Sequence, residues 1–380
     1  MFDTIVIGAG FAGGVVAREL AEQGEKVLMI EQREHIGGNC YDVEDKHGVL
    51  IHQYGPHIFH TSNEEVYQYL SQFTDWYHFQ HKVVANVHEK YIPVPFNLHT
   101  LEMVYGQEKA QKLKEELFAS YGEGARVPIL ELTKNPSKDI QEIADFVYEN
   151  IFLRYTMKQW GQKPEEVDGS VTARVPVVLS YDDSYFGDKY QGMPKISFTD
   201  LFEHMLDHPN ITLRLGTRAE DVLTIPTEGR VAFEGEEFKG KIVYTGPVDE
   251  LFGCRFGRLP YRSLEFVFEH YDQEYYQSNS VVNYTVSEDY TRITEFKYLT
   301  GQKIAGTTIM KEYPKSYTGE NGQIPYYAIM NEENQRLYER YVDLLKNVPD
   351  FYLVGRLAEY KYYNMDAIVA RALAVVKEMR

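Results

Sequence analysis

Residues 2–13 read FDTIVIGAGFAG, and residues 26–31 read KVLMIE. The first run is an apolar strand that leads into a GxGxxG turn, and the second is another apolar strand that ends at Glu31. Such a turn lets the backbone approach a pyrophosphate at a helix N-terminus, and the acid can accept hydrogen bonds from ribose hydroxyls. Strand, helix, second strand and acid fall at the expected spacing, so this stretch predicts a dinucleotide-binding α/β unit.

Size and composition favour a globular protein of two or three domains with an ample core. The chain has 380 residues, of which 43% are apolar and 25% are charged, and its formal net charge is -18. This negative charge argues against nucleic-acid binding, because such proteins normally present a basic surface. The two cysteines, Cys40 and Cys254, make no disulfide framework and indicate a reducing compartment.

The apolar segments do not predict a membrane span or a signal peptide. No run approaches the ~18 to 20 apolar residues that a spanning helix needs. The first run follows Asp3 without a basic segment, and Arg18 and Glu19 close it early. We therefore expect a cytoplasmic protein.

Later patterns spread the α/β unit along the chain. Residues 241–247 predict a strand that ends in a glycine turn, and 351–355 predict another strand. Asp366 is predicted to cap an amphipathic helix over 367–379. A nucleotide domain built from the beginning, middle and end of a chain favours a flavin-binding fold over a simple nicotinamide dehydrogenase.

The remaining segments predict helices and antiparallel strands. Residues 101–121 and 140–154 have helical periodicity, and 82–95 read as a hairpin turned at His88 and Glu89. Residues 264–269, 280–284 and 292–297 alternate as strands do. The predicted fold is α/β, with a discontinuous Rossmann-like FAD-binding domain (1–80, 197–248 and 335–380), a helical domain (98–165) and an antiparallel sheet domain (81–97, 166–196 and 249–334).

Several longer motifs resemble the bacterial UDP-galactopyranose mutase family, and the resemblance covers essentially the whole chain. Besides the glycine turn, the motifs are IGGN at 36–39, GPHIFHT at 55–61, YTMKQW at 155–160, TARVP at 172–176, TRITEFK at 291–297 and GRL at 355–357.

This resemblance implies an isomerase that interconverts the pyranose and furanose forms of UDP-galactose and supplies galactofuranose for cell-surface glycans. In the family the flavin is FAD and must be reduced, although the reaction has no net redox change. Its N5 nitrogen attacks the anomeric carbon, displaces UDP and forms a covalent flavin–galactose adduct, so the cofactor is the nucleophile. A homodimer is a further expectation from the family.

The resemblance also assigns site residues. The cofactor candidates are Gly8, Gly10, Phe11, Ala12, Gly13, Glu31, Gln32, Gly38, Asn39, His57, Ile58, Arg356, Met365 and Asp366. The substrate candidates are Asn86, Phe152, Tyr155, Thr156, Trp160, Arg174, Tyr185, Phe186, Asn283, Arg292, Tyr326, Tyr327, Tyr362 and Asn364. The catalytic candidates are Arg174, Arg292 and His60.

The two arginines are the first choice for the substrate diphosphate, because each guanidinium offers a charged, bidentate fork to phosphate oxygens. Considered apart from the motifs in which they occur, the two arginines would be interpreted as members of surface ion pairs. His60 is a candidate for tuning the flavin, with a structural hydrogen-bonded histidine as the alternative. No metal is expected, because no HExxH motif or Cys/His cluster accompanies His57 and His60.

Some assignments stay open at this stage. The pattern does not distinguish Tyr326 from Tyr327 as the tyrosine at the diphosphate. Asn364 stands where many family members have Asp, which argues against an essential carboxylate there. The aromatic residues around Trp160 could pack in the core instead of binding substrate. Cys40 is expected to be a small packing residue.

Two other functions compete with the mutase. A flavin oxidase of the amine-oxidase type shares the glycine turn, the acid and the Gly-Gly pattern. The segment around Trp160 and the paired arginines argue against it, because an amine substrate needs no pair of guanidiniums. A flavin-storing or scaffold protein would not need this converging polar set.

Overall fold

The structure is a computed structural model, and it describes residues 1–153, 176–286 and 288–379. The strands are β1 Thr4–Ile7, β2 Val27–Ile30, β3 Asp42–Glu44, β4 Leu50–His52, β5 Phe59–Thr61, β6 Trp76–His78, β7 Val83–Val87, β8 Lys90–Val94, β9 Arg126–Pro128, β10 Pro176–Val178, β11 Tyr190–Pro194, β12 Ile211–Arg214, β13 Leu223–Thr224, β14 Ala232–Phe233, β15 Glu236–Glu237, β16 Lys241–Tyr244, β17 Tyr261–Tyr271, β18 Val281–Tyr284, β19 Arg292–Glu295, β20 Thr307–Ser316, β21 Tyr327–Ala328 and β22 Phe351–Leu353.

The α-helices are α1 Phe11–Glu22, α2 Glu64–Leu70, α3 Leu98–Tyr105, α4 Gln107–Tyr121, α5 Ile129–Leu132, α6 Lys138–Val147, α7 Phe198–Leu206, α8 Ala219–Val222, α9 Val248–Leu251, α10 Phe296–Thr300, α11 Glu332–Asp343 and α12 Met365–Glu378. A π-helix, Tyr148–Leu153, continues α6. None of the helices in the described ranges is long and apolar enough to cross a membrane.

A five-stranded parallel sheet forms the α/β part, in the order β12-β2-β1-β16-β22. Its strands come from the beginning, middle and end of the chain, as the sequence predicted. The central strand β1 and its neighbour β2 are fully buried, since helices cover the faces of a parallel sheet. On one face α1 packs between α7 and α12, around Val16, Phe202 and Val376. The predicted Rossmann-like α/β fold is confirmed.

A seven-stranded sheet forms the second layer, in the order β21-β17-β20-β19-β18-β7-β8. All neighbouring strands in it are antiparallel except β7 and β18, which pair in parallel. The sequence predicted an antiparallel sheet. The parallel pair was missed because β7 and β18 lie far apart in the chain. The alternation of apolar and polar residues identifies a strand but does not show in which direction it runs relative to a distant strand.

The sheet packs its two faces differently. Phe266, Phe268 and Met310 contact the core of the α/β part, while Val282, Ile293 and Ile309 lie in a small core on the opposite face. Helices α3 to α6 cover the β7–β8 end and share a third core with it. The domain borders given above stay a prediction.

Several predicted elements differ in detail from the structure. The predicted helix 101–121 is two helices separated at Gly106, whose φ of 74° is left-handed. The β7–β8 hairpin is as predicted, with φ of 51° at His88 and 67° at Glu89 in a two-residue turn. β19 ends at Glu295, and α10 follows where the strand was expected to continue.

The capping role predicted for Asp366 is wrong. Helix α12 begins at Met365, two residues earlier than predicted, with Asn364 as its N-cap and no side-chain cap. Asp366 lies in the first turn instead, where its carboxylate accepts hydrogen bonds from the Thr61 hydroxyl at 3.0 Å and from the Ala367 amide at 2.8 Å. The carboxylate thus joins α12 to β5, a long-range contact that local sequence does not reveal.

The glycine turn allows β1 and α1 to approach each other closely. A Cβ on Gly13 would lie 2.0 Å from the Gly8 carbonyl oxygen, and one on Gly38 would lie 2.9 Å from the Gly10 Cα. Both neighbours are backbone atoms, which cannot rotate away as a side chain would. Both close contacts therefore require that Gly13 and Gly38 have no side chain.

Replacing Gly13 by alanine should destabilise the protein by about 2 kcal/mol or more, because the turn must shift to admit the methyl group. Gly14→Ala is the matched control, since its Cβ would meet the flexible Met205 Sδ at 3.3 Å and the Phe202 ring at an ordinary contact distance of 3.6 Å. Urea unfolding monitored by circular dichroism measures both variants. Equal stabilities of the two would contradict the close approach at Gly13.

Candidate active site

The carboxyl ends of the parallel strands open onto one cleft. All the sequence-predicted cofactor residues except Gly13, Ile58 and Asp366 line it. Ile58 is instead part of the core, and Gly13 acts through the turn geometry. The cleft also includes Asn364, which was predicted to bind substrate.

Glu31 fixes the shape of the cleft. Its carboxylate is almost fully buried and accepts a 2.9 Å hydrogen bond from the Ala9 amide on one oxygen and one of 2.9 Å from the Arg33 amide on the other. The glycine turn is thereby tied to the end of β2. Each carboxylate oxygen keeps a second lone pair, which a ribose hydroxyl can use.

The cleft fits a dinucleotide cofactor in its donors as well as its shape. Helix α1 has Gly10 as its N-cap and therefore no side-chain cap, so its first amides can bind an anion. Arg33 donates to the Asn39 side chain at 2.9 Å and lies over the Tyr54 ring at 4.2 Å. Its other terminal nitrogen, Nη1, is buried and has no hydrogen-bond partner among the described residues, as expected of a donor meant for a ligand.

Cys40 also lines the cleft, but as an inert thiol. It is buried, its Sγ contacts the Met365 Sδ at 3.7 Å, and burial raises the pKa of the thiol to about 12. A protonated thiol is a poor nucleophile. This environment agrees with the packing role expected from the sequence.

A row of polar residues crosses the sheet face that packs on the α/β part. Arg292 pairs in register with Asn283 on one side and with Glu312 on the other, and Glu312 pairs with Phe266. Register partners share a face of a sheet, so these four side chains point the same way. Tyr327 belongs to the same face, because it pairs with Arg262 on β17.

Glu312 is the partner of Arg292 in this row. Its carboxylate is fully buried, and one oxygen, Oε2, accepts from both Nε and Nη2 of Arg292 at 2.8 Å. The second oxygen, Oε1, is buried without a hydrogen-bond partner in the described ranges. The carboxylate holds the guanidinium in one orientation.

A stack of aromatic residues links this row to the cofactor cleft. Tyr327 stacks on Tyr362 with ring centroids 6.0 Å apart, and the Arg356 guanidinium lies 4.7 Å from the Tyr362 ring. Arg356 itself lines the cleft and donates to the Tyr363 carbonyl at 2.7 Å. Burial raises the pKa of Tyr327 to about 12, so its hydroxyl remains a proton donor at neutral pH.

Tyr326 has a different environment from Tyr327. Its ring meets the edge of Phe266 at 5.8 Å, and its hydroxyl is buried without a partner in the described part of the chain. Burial raises its pKa well above the usual value; the charge of Glu312 adds to this rise and that of Arg33 opposes it. The two tyrosines thus have different neighbours, Phe266 for Tyr326 and Tyr362 for Tyr327.

His60 and Phe186, both predicted from the sequence, are brought together by the structure. Their rings stack with centroids 3.6 Å apart, and Tyr185 packs edge-on against Phe186 at 5.0 Å. Nδ1 of His60 is 2.8 Å from the Asp188 carboxylate. The buried His81 packs against both Phe186 and Tyr185 and is within electrostatic range of Arg292 and His60.

Asn86 is not brought to this site, which corrects the sequence prediction. It pairs with Tyr284, the residue after Asn283, and therefore lies on the opposite sheet face from Arg292. Its side chain accepts from the Glu89 amide at 3.0 Å and closes the β7–β8 turn. The sequence could not show which face this residue takes, because a shift of one residue reverses it.

Five candidates cannot be placed. Tyr155, Thr156, Trp160 and Arg174 lie outside the described residues, and Phe152 is described only as part of the π-helix. Their assignments stay predictions.

Sequence reasoning missed several residues of the site: Arg33, Tyr54, His81, Asp188 and Glu312. Arg33 could have been found from its position two residues after Glu31, at the end of β2. The others depend on pairings across long stretches of sequence, for which a single chain gives no signal.

Comparison with known proteins agrees with this geometry. A family model described as UDP-galactopyranose mutase matches residues 150–362, and one for an NAD(P)-binding Rossmann-like domain matches residues 6–73. A probable UDP-galactopyranose mutase from Klebsiella pneumoniae is 37% identical over 98% of this chain and 94% of its own length. A dTDP-fucopyranose mutase from Escherichia coli is 34% identical over 98% of this chain and 97% of its own.

The fold has solved counterparts. A crystal structure of reduced UDP-galactopyranose mutase superimposes with a TM-score of 0.73, covering 100% of this chain and 93% of that one at 15% identity. A flavin-containing amine oxidase A from Equus caballus is 40% identical, but over only 17% of this chain and 12% of its own. The matches to mutases and to an amine oxidase together indicate a flavin cofactor.

Acidification should destabilise the protein through its buried histidines. Burial lowers the pKa of His52, His57 and His81 from 6.5 to about 3. Between these values the unfolded chain binds protons that the folded protein does not. Above about pH 6.5 these histidines do not lower the free energy of unfolding. Below that pH the free energy of unfolding falls towards pH 3, by about 1 kcal/mol per pH unit for each histidine.

Urea unfolding between about pH 7 and about pH 5 measures this dependence. His52→Asn should flatten it, because it removes one buried titrating group and keeps an acceptor for the His57 amide, which bonds Nδ1 of His52 at 3.0 Å. His88→Asn is the control, since that residue is exposed and asparagine tolerates its φ of 51°. An equal slope in the His52 variant and the wild type would refute the assignment.

Proposed function

The chain belongs to the UDP-galactopyranose mutase family, and on this premise we propose that it interconverts UDP-galactopyranose and UDP-galactofuranose, with reduced FAD as its cofactor. The observation that carries the proposal is that the cofactor cleft adjoins the sheet face that carries Arg292. The polar residues that pair across the sheet, Asn283, Arg292 and Glu312, form the Arg292 row. This row and the cofactor cleft meet at the stack of Tyr327, Tyr362 and Arg356. A dinucleotide and a nucleotide sugar can thus lie side by side.

The cofactor end of the site is proposed to hold FAD in the dinucleotide manner. The uncapped start of α1 and the unpaired Nη1 of Arg33 would bind its phosphates, and Glu31 would accept from its ribose. When bound and reduced, the flavin supplies the N5 nucleophile that lets the sugar ring contract without net redox change. The protein's own task is to bind, orient and neutralise charge.

Arg292 is proposed to bind the substrate diphosphate, together with Arg174. Departure of UDP from the anomeric carbon leaves negative charge on the phosphate, and an oriented guanidinium stabilises it. Glu312 holds Arg292 in place before substrate arrives, so this orientation costs nothing during the reaction. Tyr327 and Tyr362 would add neutral hydroxyl donors beside it.

His57 and His81 support the same chemistry by staying neutral. Their pKa values are lowered to about 3 by burial, so neither carries charge near neutral pH. Neutral rings can pack against a sugar or a flavin without adding a cation that competes with Arg292 for the diphosphate. Phe186 and Tyr185 would provide further walls for the sugar.

A second substrate is favoured by a specific observation. The dTDP-fucopyranose mutase of Escherichia coli is nearly as similar to this chain as the Klebsiella protein, at 34% against 37% identity. The reaction on the ring is the same for both sugars, while fucose lacks the 6-hydroxyl and the nucleoside carries thymine. Competition between UDP-galactofuranose and dTDP-fucofuranose separates the two candidates by the ratio of kcat/KM.

The wider setting is also proposed from the family. We expect a cytoplasmic homodimer that supplies galactofuranose for cell-surface glycans, with the nucleotide sugar as its small-molecule partner and no role for nucleic acid.

The dithionite-reduced protein should convert UDP-galactofuranose to UDP-galactopyranose, while the oxidised protein should be nearly inactive, because only the reduced flavin can supply the nucleophile. Chromatography of the nucleotide sugars after anaerobic incubation measures this. Equal turnover in both states would refute the mechanism. Oxidation of an amine with no isomerisation would favour the amine-oxidase alternative.

Arg292→Ala should lower kcat/KM by about 10²- to 10³-fold, as loss of an oriented donor to a developing anion does. Arg174→Ala should have a similar effect, and both variants should retain FAD. Arg230→Ala is the matched control, since this arginine pairs with Asp350 at 2.9 Å on the surface. Loss of flavin absorbance in the Arg292 variant would instead assign that residue to the cofactor.

Tyr327→Phe should weaken binding of UDP by about 1 kcal/mol or more, because it removes a donor beside Arg292 and Arg356. Tyr326→Phe is the matched control. It removes the hydroxyl of the neighbouring tyrosine but keeps its ring, and it should leave UDP affinity unchanged. Isothermal titration of the FAD-loaded variants distinguishes them. The reverse order of affinities would make Tyr326 the tyrosine at the diphosphate.

A further inference from the structure

Two neighbours, Asp188 and Phe186, hold the ring of His60. Its Nδ1 is 2.8 Å from Oδ2 of Asp188, and its face stacks on Phe186 at 3.6 Å with an interplanar angle of 13°. The other oxygen of Asp188 accepts from the Ser62 hydroxyl at 2.9 Å. Both the plane of the imidazole and its rotation within that plane are thereby fixed.

The loop that carries these neighbours is itself anchored to the strand of His60. Gln191 pairs in register with His60 between β11 and β5. Its side-chain amide donates to the carbonyls of Phe186 and Asp188, each at 3.1 Å. The same strand pair thus positions His60 and, through Gln191, the two groups that hold its ring.

His60 lies between the cofactor cleft and the sheet face that carries Arg292. The next residue, Thr61, points to the opposite side of β5 and donates to Asp366 in the first turn of α12, beside the cofactor cleft. On its own side His60 faces Phe186, and His81 beyond it is within electrostatic range of Arg292. A sugar between the cofactor and Arg292 would meet this side of β5.

We propose that Asp188 is a positioning residue that orients His60 to accept a hydrogen bond from a hydroxyl of the substrate sugar. An ionised carboxylate can only accept, so Nδ1 of the neutral ring must carry its proton and Nε2 must be the acceptor. Within the described part of the chain Nε2 has no hydrogen-bond partner. The inference rests on the proposed function, because it assigns a role in binding that sugar.

The tautomer of His60 tests the geometry without any turnover. In ¹⁵N-labelled protein at mildly alkaline pH, the imidazole nitrogen shifts should show the proton on Nδ1. Asp188→Ala should move the population towards the Nε2–H tautomer, which free histidine prefers. A wild-type ring already protonated at Nε2, or an unchanged tautomer in the variant, would overturn the proposal.

The kinetic test uses the reduced FAD-loaded enzyme. Asp188→Ala should lower kcat/KM for UDP-galactofuranose roughly 10- to 100-fold, since a misplacement of about 1 Å can cost about 10²-fold. FAD content and UDP affinity should stay unchanged, because UDP lacks the sugar. The loss should disappear in a His60→Gln background, where Asp188 has no imidazole to orient.

Asp183→Ala is the matched control. Asp183 lies five residues before Asp188 and accepts from His99 at 3.0 Å, a second His–Asp pair in the same segment. Its removal should leave kcat/KM within about twofold. An equal loss in both aspartate variants, or an additive loss in the His60→Gln background, would show a merely structural role. Absent turnover in the wild type would refute the proposed function instead, and the tautomer would then decide the geometry alone.

Discussion

The buried carboxylate of Glu31 is the interaction on which the cofactor end of the molecule depends. By accepting from the amides of Ala9 and Arg33, it ties the glycine turn to the end of β2 and sets the direction in which Arg33 leaves the strand. The close approach of Gly8 and Gly13 then becomes possible at low cost, because neither has a side chain in the way. The cleft is therefore shaped before any cofactor binds.

The substrate end depends on a different constraint, the register of the seven-stranded sheet. Arg292, Asn283, Glu312 and Tyr327 come from four strands, and only the observed pairing puts them on one face. That face packs against the α/β core through Phe266, Phe268 and Met310. The same packing that stabilises the two layers brings Arg292 next to the cofactor cleft, so stability and the proposed chemistry share one surface.

Much of the fold could be predicted from the sequence where the signal is local. The strand, turn, helix and acid of residues 2–31 follow from apolar periodicity and glycine positions, and the β7–β8 hairpin from two turn residues. Most of the cofactor residues predicted from motif resemblance line one cleft in the structure. What failed was long-range: Asn86 lies on the unexpected sheet face, and Asp366 bonds Thr61 on β5 rather than capping its helix. Asp188 and Glu312 escaped notice for the same reason, because their partners lie more than a hundred residues away or across a strand pair.

The central claim is that the cofactor cleft and the Arg292 row are one active site. A crystal structure of the reduced, FAD-loaded protein with UDP-galactopyranose tests it most directly. The account predicts the diphosphate against Arg292 and Tyr327, with the sugar between the flavin and the ring of His60. A diphosphate bound away from Arg292, or a sugar with its anomeric carbon out of reach of the flavin, would contradict it.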